Sequence, residues 1–132
     1  MTRYVDASAV VKLYVREPDS ERAAEFLRGR WASGRHTLVE VRRALVQTLD
    51  GDELQVARER FATDWEATSV VELDTGVCDK AAELAESTGV RSLDALHLAS
   101  AEILGEGELP FVTFDRRLAD AARSLGWTVL GV

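Results

Sequence analysis

Short apolar segments alternate with amphipathic helical segments along the whole of this 132-residue chain. The apolar segments have the length and the β-branched or aromatic content of strands. Strands that alternate with helices pair in parallel, and such a sheet needs helices on both faces. The alternation therefore predicts an α/β fold, a three-layer α/β/α domain with a short-stranded, mainly parallel central sheet. The predicted strands are 3–6, 70–73, 111–114 and 127–132.

The helical segments are recognised by apolar residues that recur every three or four positions. In the segment 37–49, for example, Leu38, Val41 and Leu45 share one face. A short connection through Arg35–His36 leads into that helix. One domain over residues 1–132 is expected, because this length supports one hydrophobic core but not two domains. The predicted helices are 8–15, 17–30, 37–49, 53–67, 77–88, 92–104 and 116–126.

The cysteine content and the hydropathy limit where the protein works. With one cysteine, Cys78, an intrachain disulfide is impossible and a cysteine-based metal site is disfavoured. This predicts a reducing, cytoplasmic setting. No apolar run approaches the ~18 residues of a membrane span, and the first residues lack the apolar core of a secretory signal. We therefore expect no membrane partner.

The net charge of −7 argues against a nucleic-acid partner, but the charge is unevenly distributed. Residues 1–49 carry a net charge of +3 and residues 50–132 a net charge of −10. Seven arginines lie between Arg16 and Arg43. Taken singly, each is best explained as part of a solvated helix face. Together they could form a local phosphate-contacting patch on an acidic protein.

Four acidic residues stand at the starts of predicted helices. Asp6 ends the first strand, Asp115 follows the strand 111–114, and Glu40 and Asp94 lie in the helices 37–49 and 92–104. In a parallel α/β sheet these helix starts meet at the carboxyl edge of the strands, where ligands bind. The four carboxylates are therefore candidates for one acidic pocket.

Each of these acids also has a purely structural explanation. Asp6 and Asp115 can cap the helices that follow them. Thr37 and Glu40 fit a capping box, in which the glutamate bonds back to the amide of the cap residue. Asp94 can lie in a first turn capped by Ser92, where the helix dipole favours an anion.

Four motifs give the chain a resemblance to a known family. The segments YVDASAVVKLY, TLVEVRRAL, SLDALHLASA and FVTFDRRLADAA resemble, in order, the motifs of PIN-domain ribonucleases, and more narrowly of the VapC toxins. The resemblance implies one acidic pocket that binds Mg²⁺ or Mn²⁺. Thr113 also matches a recurrent polar position. The acids that match the family's pocket are Asp6, Glu40, Asp94 and Asp115.

The resemblance implies a metal-dependent endoribonuclease that is the toxin of a type II toxin–antitoxin pair. RNA would be its substrate, a cognate VapB-like antitoxin its inhibitor, and a homodimer its usual assembly. Asp6, Asp94 and Asp115 are expected to be metal ligands. For Glu40 three roles stay open, namely orienting water, binding a second ion, or holding the hydrogen bonds of the pocket.

A carboxylate cluster of this kind suits a hard cation such as Mg²⁺ and suits zinc poorly. His36 and His97 are expected to be structural, with His97 packing or hydrogen-bonding one turn after Asp94. Phosphoryl-receiver domains share the acidic pocket, but they need a lysine at the end of a late strand, which this sequence lacks. The remaining alternative is an interaction module whose acidic pocket binds a basic partner segment without catalysis.

Overall fold

The computed structural model describes residues 2–105 and 108–132. Within these residues five parallel strands form one sheet in the order β3-β2-β1-β4-β5. The predicted α/β fold with a parallel central sheet is confirmed. The strands are β1 (Thr2–Val5), β2 (Arg30–Gly34), β3 (Ser69–Val71), β4 (Phe111–Thr113) and β5 (Val129–Gly131).

Helices cover both faces of the sheet, which gives the predicted three layers. Neighbouring residues on a strand point to opposite faces. Accordingly Tyr4 and Phe111 lie in one buried core, whereas Val5 and Val112 lie in the other. The helices are α1 (Ala7–Val11), α2 (Ser20–Phe26), α3 (His36–Thr48), α4 (Gly51–Glu66), α5 (Thr75–Thr88), α6 (Ser92–Gly105) and α7 (Arg116–Ser124).

Strand β2 was not predicted from the sequence. The prediction continued a helix to residue 30, but α2 ends at Phe26 and Gly29 has a positive φ of 89°. The strand RWASG has neither alternating polarity nor β-branched residues, so its local pattern does not indicate a strand. It forms because β1 and β3 pair with it on both sides.

The topology brings the ends of the central strands to one edge of the sheet. Val5 of β1 is in register with Val112 of β4, and the amide of Asp6 donates to the carbonyl of Val112 at 3.2 Å. Since the strands are parallel, the residues after β1 and β4 emerge side by side. None of the helices in the described ranges is long and apolar enough to cross a membrane.

Candidate functional site

Asp6 is the most buried of the four candidate acids, with 3% of its surface exposed. It caps α1 by accepting from the amide of Ala9 at 3.1 Å, so the predicted capping role is confirmed. Its carboxylate also accepts from the hydroxyls of Ser8, at 2.8 and 2.9 Å, and of Thr113, at 2.7 Å. Burial raises the pKa of Asp6, while the charge of His97 and these hydrogen bonds oppose the rise.

Asp94 lies in the first turn of α6, as predicted, but Ser92 is the first residue of that helix and not its cap, because the amide of Ala95 already bonds to the carbonyl of Arg91. Its side chain is only 13% exposed, and its Oδ2 atom has no hydrogen-bond partner within residues 2–105 and 108–132. Burial, and next the charge of Asp115, raise the pKa of Asp94. A buried carboxylate oxygen without a donor is costly, and it suits a bound cation.

Asp115 caps α7, accepting from the amide of Leu118 at 3.2 Å, so this predicted cap is also confirmed. Its Oδ2 lies 3.8 Å from Nη2 of Arg91, whose Nε lies 3.9 Å from Oδ2 of Asp94. Arg91 therefore stands between two carboxylates that repel each other. Asp115 can cap α7 and still belong to the acidic group, because its Oδ1 accepts from Leu118 while its Oδ2 faces Arg91.

Glu40 does not form the capping box that the sequence suggested. Helix α3 begins at His36 with Arg35 as its N-cap, so Thr37 already lies inside the helix. The hydroxyl of Thr37 pairs with that of Ser33 at 2.7 Å. Glu40 instead receives a hydrogen bond from Nε2 of His97 at 2.8 Å on its Oε1 atom. Arg35, which connects β2 to α3, has helical backbone angles, so no residue with extended backbone precedes the helix to act as its cap.

His97 donates a hydrogen bond to Glu40 and acts electrostatically on two of the aspartates. The residue is 2% exposed, its Nδ1 lies 2.8 Å from the Tyr4 hydroxyl, and its charge lowers the pKa of both Asp6 and Asp94. The predicted structural hydrogen bonding of His97 is confirmed. The sequence did not predict that His97 contacts Glu40, because this contact joins two helices that are distant in the sequence.

His36 packs against His97, with ring centroids 4.1 Å apart. Burial, helped by the charge of His97, lowers the pKa of His36 to about 4 although Glu40 opposes the shift. The ring is therefore neutral at pH 7. In the described part of the chain, neither of its nitrogens makes a hydrogen bond of good geometry, and the backbone of Leu93 is a polar group near the ring.

A cleft of about 730 Å³ opens beside the aspartates. Asp94 lines it together with Arg91 and Arg117, which places positive charge next to the acidic group. Of the seven arginines from Arg16 to Arg43, Arg28 and Arg30 line one further cavity, and Arg43 lines another together with Lys12 and Glu40. Four of the seven lie within ion-pair distance of an acid: Arg16, Arg22, Arg28 and Arg35.

The three aspartates thus lie at the carboxyl edge of the sheet, where Thr113 joins Asp6 to the amide of Asp115 and Arg91 lies between Asp94 and Asp115. Glu40 is held separately, by its hydrogen bond from His97. Oxygen-only donors of this kind fit a hard divalent cation. The partnerless Oδ2 of Asp94 is the observation that favours such an ion. Burial raises the pKa of Asp6, whereas the pKa of Asp94 is raised by burial and then by the charges of Asp115 and Asp6, as expected where carboxylates converge.

Comparisons with known proteins agree on the family and the fold. A family model described as PIN domain matches residues 3–124. Ribonuclease VapC46 of Mycobacterium tuberculosis is 37% identical over 129 residues, which cover 96% of this chain and 95% of that protein. The structure of FitAcB from Neisseria gonorrhoeae matches with a TM-score of 0.75 at 20% identity, over 99% of this chain and 97% of that one.

A second solved structure, VapBC-5 from Mycobacterium tuberculosis, is described as a member of the VapBC family of toxin-antitoxin systems. It matches with a TM-score of 0.65 at 19% identity, over 99% of this chain and 98% of that one. At these identities the two structural matches establish the fold alone.

Proposed function

This chain belongs to the PIN domain family, and from that membership we propose that it is a metal-dependent endoribonuclease that hydrolyses RNA phosphodiester bonds. The name of its relative, a ribonuclease, supports the activity. The single observation that carries the proposal is the buried Oδ2 of Asp94, which has no hydrogen-bond partner in residues 2–105 and 108–132 and faces the charge of Asp115.

Asp6, Asp94 and Asp115 would hold the cation, Mg²⁺ or Mn²⁺. When bound, it supplies charge relief on the phosphate and lowers the pKa of water. The protein's own contribution is to hold these ligands rigidly. The hydroxyls of Ser8 and Thr113 fix the carboxylate of Asp6, and the amide of Leu118 fixes that of Asp115.

Arg91 and Arg117 line the cleft beside Asp94, and we assign them to the phosphates of the RNA backbone. Arg91 is 68% exposed, and its contacts of 3.8 and 3.9 Å with the acids are long, so it can turn toward a substrate at little cost. A chain with a net charge of −7 needs such local positive charge to bind RNA.

Glu40 completes the proposed catalytic group as its fourth acid. It is 26% exposed, and the hydrogen bond from His97 limits its side-chain conformations. It also lines a cavity of about 540 Å³ with Leu93 and with Ser8, whose hydroxyl donates to Asp6. We assign Glu40 to orienting water for attack on the phosphate.

We further propose that the enzyme is the toxin of a toxin–antitoxin pair, that it acts as a homodimer and that a cognate VapB-like antitoxin inhibits it. The solved VapBC-5 structure supports an antitoxin of this kind. Helix α3 exposes Val39 and Val46, two turns apart, and Leu93 is exposed beside Glu40. Exposed apolar side chains along one surface suit a protein partner.

A second function, a binding module without catalysis, is favoured by one observation. Arg91 already places its guanidinium between Asp94 and Asp115, so the pocket accepts an arginine. An arginine from a partner protein could take that position. Under this alternative, binding to the basic partner would survive without any metal-dependent cleavage.

The test is cleavage of total RNA by the purified protein with Mg²⁺, with Mn²⁺ and with EDTA. Asp94→Asn is the test variant, and Asp79→Asn, which removes an exposed charge on α5, is the matched control. Discrete fragments that require metal, persist in Asp79→Asn and vanish in Asp94→Asn would support the nuclease. A folded protein that cleaves nothing under any of these conditions would favour the binding module.

A further inference from the structure

Two histidines and a glutamate meet beside the aspartate group. His36 and Glu40 are one turn apart on α3, and His97 comes from α6. One ligand atom from each of the three lies within 4.8 Å of the other two. Residues spaced i and i+4 on a helix present their side chains to the same point, a common arrangement for metal ligands.

The burial of His36 is a separate observation that points to a ligand. The ring is 8% exposed, and in the described ranges neither nitrogen makes a hydrogen bond of good geometry. The polar groups near it are the backbone of Leu93 and Oε1 of Glu40, which lies 3.9 Å from Nε2. Buried polar atoms normally have hydrogen-bond partners, so a buried imidazole without a well-formed hydrogen bond needs an explanation. A metal ion would satisfy Nε2 directly.

The chain makes room for this ring at Gly34. A Cβ atom at that position would lie 2.5 Å from Cε1 of His36, closer than packed atoms approach. His36 therefore occupies space that any other residue at position 34 would fill. This close fit limits the positions of the ring and keeps it facing Glu40 and His97.

The ring of His97 is fixed by hydrogen bonds at both nitrogens, in the way that the rings of metal-binding histidines are fixed. Its Nδ1 pairs with the Tyr4 hydroxyl at 2.8 Å, and its Nε2 points at Glu40. A hydrogen bond to one ring nitrogen of a histidine fixes which nitrogen can bind a metal. When a metal ion binds Nε2, the ring proton is on Nδ1, and this N–H donates a hydrogen bond to the hydroxyl oxygen of Tyr4.

We propose that His36, Glu40 and His97 form a second metal site, selective for a borderline divalent transition metal such as Zn²⁺ or Co²⁺. Two imidazoles and one carboxylate are a known ligand set for zinc with a fourth position open. Imidazole nitrogen also favours these ions over Mg²⁺. The site is distinct from the aspartate group and goes beyond the proposed nuclease. Because its ion binds Glu40, occupation would remove that side chain from the catalytic group.

The experiment titrates the EDTA-treated full-length protein with Co²⁺ in the presence of excess Mg²⁺. Binding is followed by the visible absorption of cobalt and by calorimetry. We expect one tightly bound Co²⁺ per chain with imidazole-type bands, in the wild type and equally in Asp94→Asn. His36→Phe, which keeps a ring packed against His97, should weaken binding by at least about tenfold, a loss produced even by changes to residues that only hydrogen-bond to a metal ligand.

Loss of the cobalt bands in Asp94→Asn with retention in His36→Phe would overturn the proposal, because the ion would then sit on the aspartates. Absence of Co²⁺ binding by the wild type would overturn it too. Thermal unfolding shows whether His36→Phe is folded. If it is not, Glu40→Gln, at a partly exposed position, must produce the same loss. RNA cleavage in Mg²⁺ alone is a separate readout, so failure of the nuclease proposal is distinguishable.

Discussion

His97 donates a hydrogen bond of 2.8 Å to Glu40 and thereby joins α6 to α3 behind the aspartates. The donor is buried and its other nitrogen pairs with Tyr4, so the histidine cannot easily reorient. Glu40 is therefore positioned by a residue from a different helix, and its role depends on tertiary packing.

Removing this hydrogen bond should impair cleavage. His97→Leu is expected to lower kcat by about 10- to 100-fold, because small misplacements of a catalytic group have effects of that size. His97→Gln, whose amide can donate to Glu40, should recover part of the loss. Steady-state cleavage of a defined RNA measures both variants.

Tyr4→Phe is the comparison for that prediction. It removes the hydrogen bond to Nδ1 of His97 and the one that the Tyr4 hydroxyl accepts from the amide of Gly34 at 3.1 Å, but it leaves the hydrogen bond to Glu40. We expect a loss of about 1–3 kcal/mol in the free energy of unfolding, because buried polar groups are left unpaired. Cleavage should fall less than in His97→Leu. If Tyr4→Phe and His97→Leu reduced kcat equally, positioning of Glu40 would not explain the effect.

The charge of Asp94 should destabilise the protein in the absence of metal. Its pKa is raised in the fold above the ordinary 3.8, so the folded state binds more protons than the unfolded state above that pH. Its contribution to stability is therefore lost as the pH rises from 3.8 through the raised pKa. Asp94→Asn should therefore be more stable than the wild type at pH 7 in the absence of metal, because it removes the charge whose burial raises the pKa of Asp94.

Urea unfolding in EDTA at several pH values measures this difference. His36 contributes the opposite slope, because its pKa is lowered from 6.5 to about 4 and it loses stability as the pH falls through that range. The pH dependence that His36 contributes is present in both the wild type and Asp94→Asn, so it largely cancels in the difference between their free energies of unfolding. An Asp94→Asn variant that is less stable than the wild type at pH 7 without metal would show that the side chain is mainly structural.

The buried hydroxyl of Thr113 should be important for both stability and metal affinity. It donates to Asp6 at 2.7 Å and accepts from the amide of Asp115 at 3.0 Å. Thr113→Val keeps the shape and removes both bonds, leaving buried polar groups unpaired, which costs about 1–3 kcal/mol. Calorimetric Mg²⁺ binding should weaken in Thr113→Val and recover in Thr113→Ser. Equal affinities in the two variants would contradict a role for the hydroxyl.

Gly34 should not tolerate a methyl group. Gly34→Ala would bring its Cβ to 2.5 Å from the ring of His36, and overpacking of this kind costs about 1–3 kcal/mol. Gly76→Ala on α5 is the matched control, because its nearest contact would be an ordinary 3.6 Å. Thermal unfolding of the two variants should show a lower Tm in Gly34→Ala and an unchanged or higher Tm in Gly76→Ala.

Local sequence signals were sufficient for the features that depend on neighbours in the chain. The apolar runs of β1 and β4 predicted strands, and the acids that follow them, Asp6 and Asp115, were expected as helix caps at the carboxyl edge. Capping needs only a side chain and the backbone two or three residues onward, so the sequence contains the whole interaction.

Tertiary structure decided the features that depend on distant segments. Strand β2 lacks a strand-like pattern and forms because two neighbours pair with it. Glu40 matched a capping box, yet its partner is His97, 57 positions away. The contact of His36 with His97 likewise requires α3 and α6 to pack together. These interactions gain their free energy from burial and pairing across the fold, and no local pattern in the chain records them.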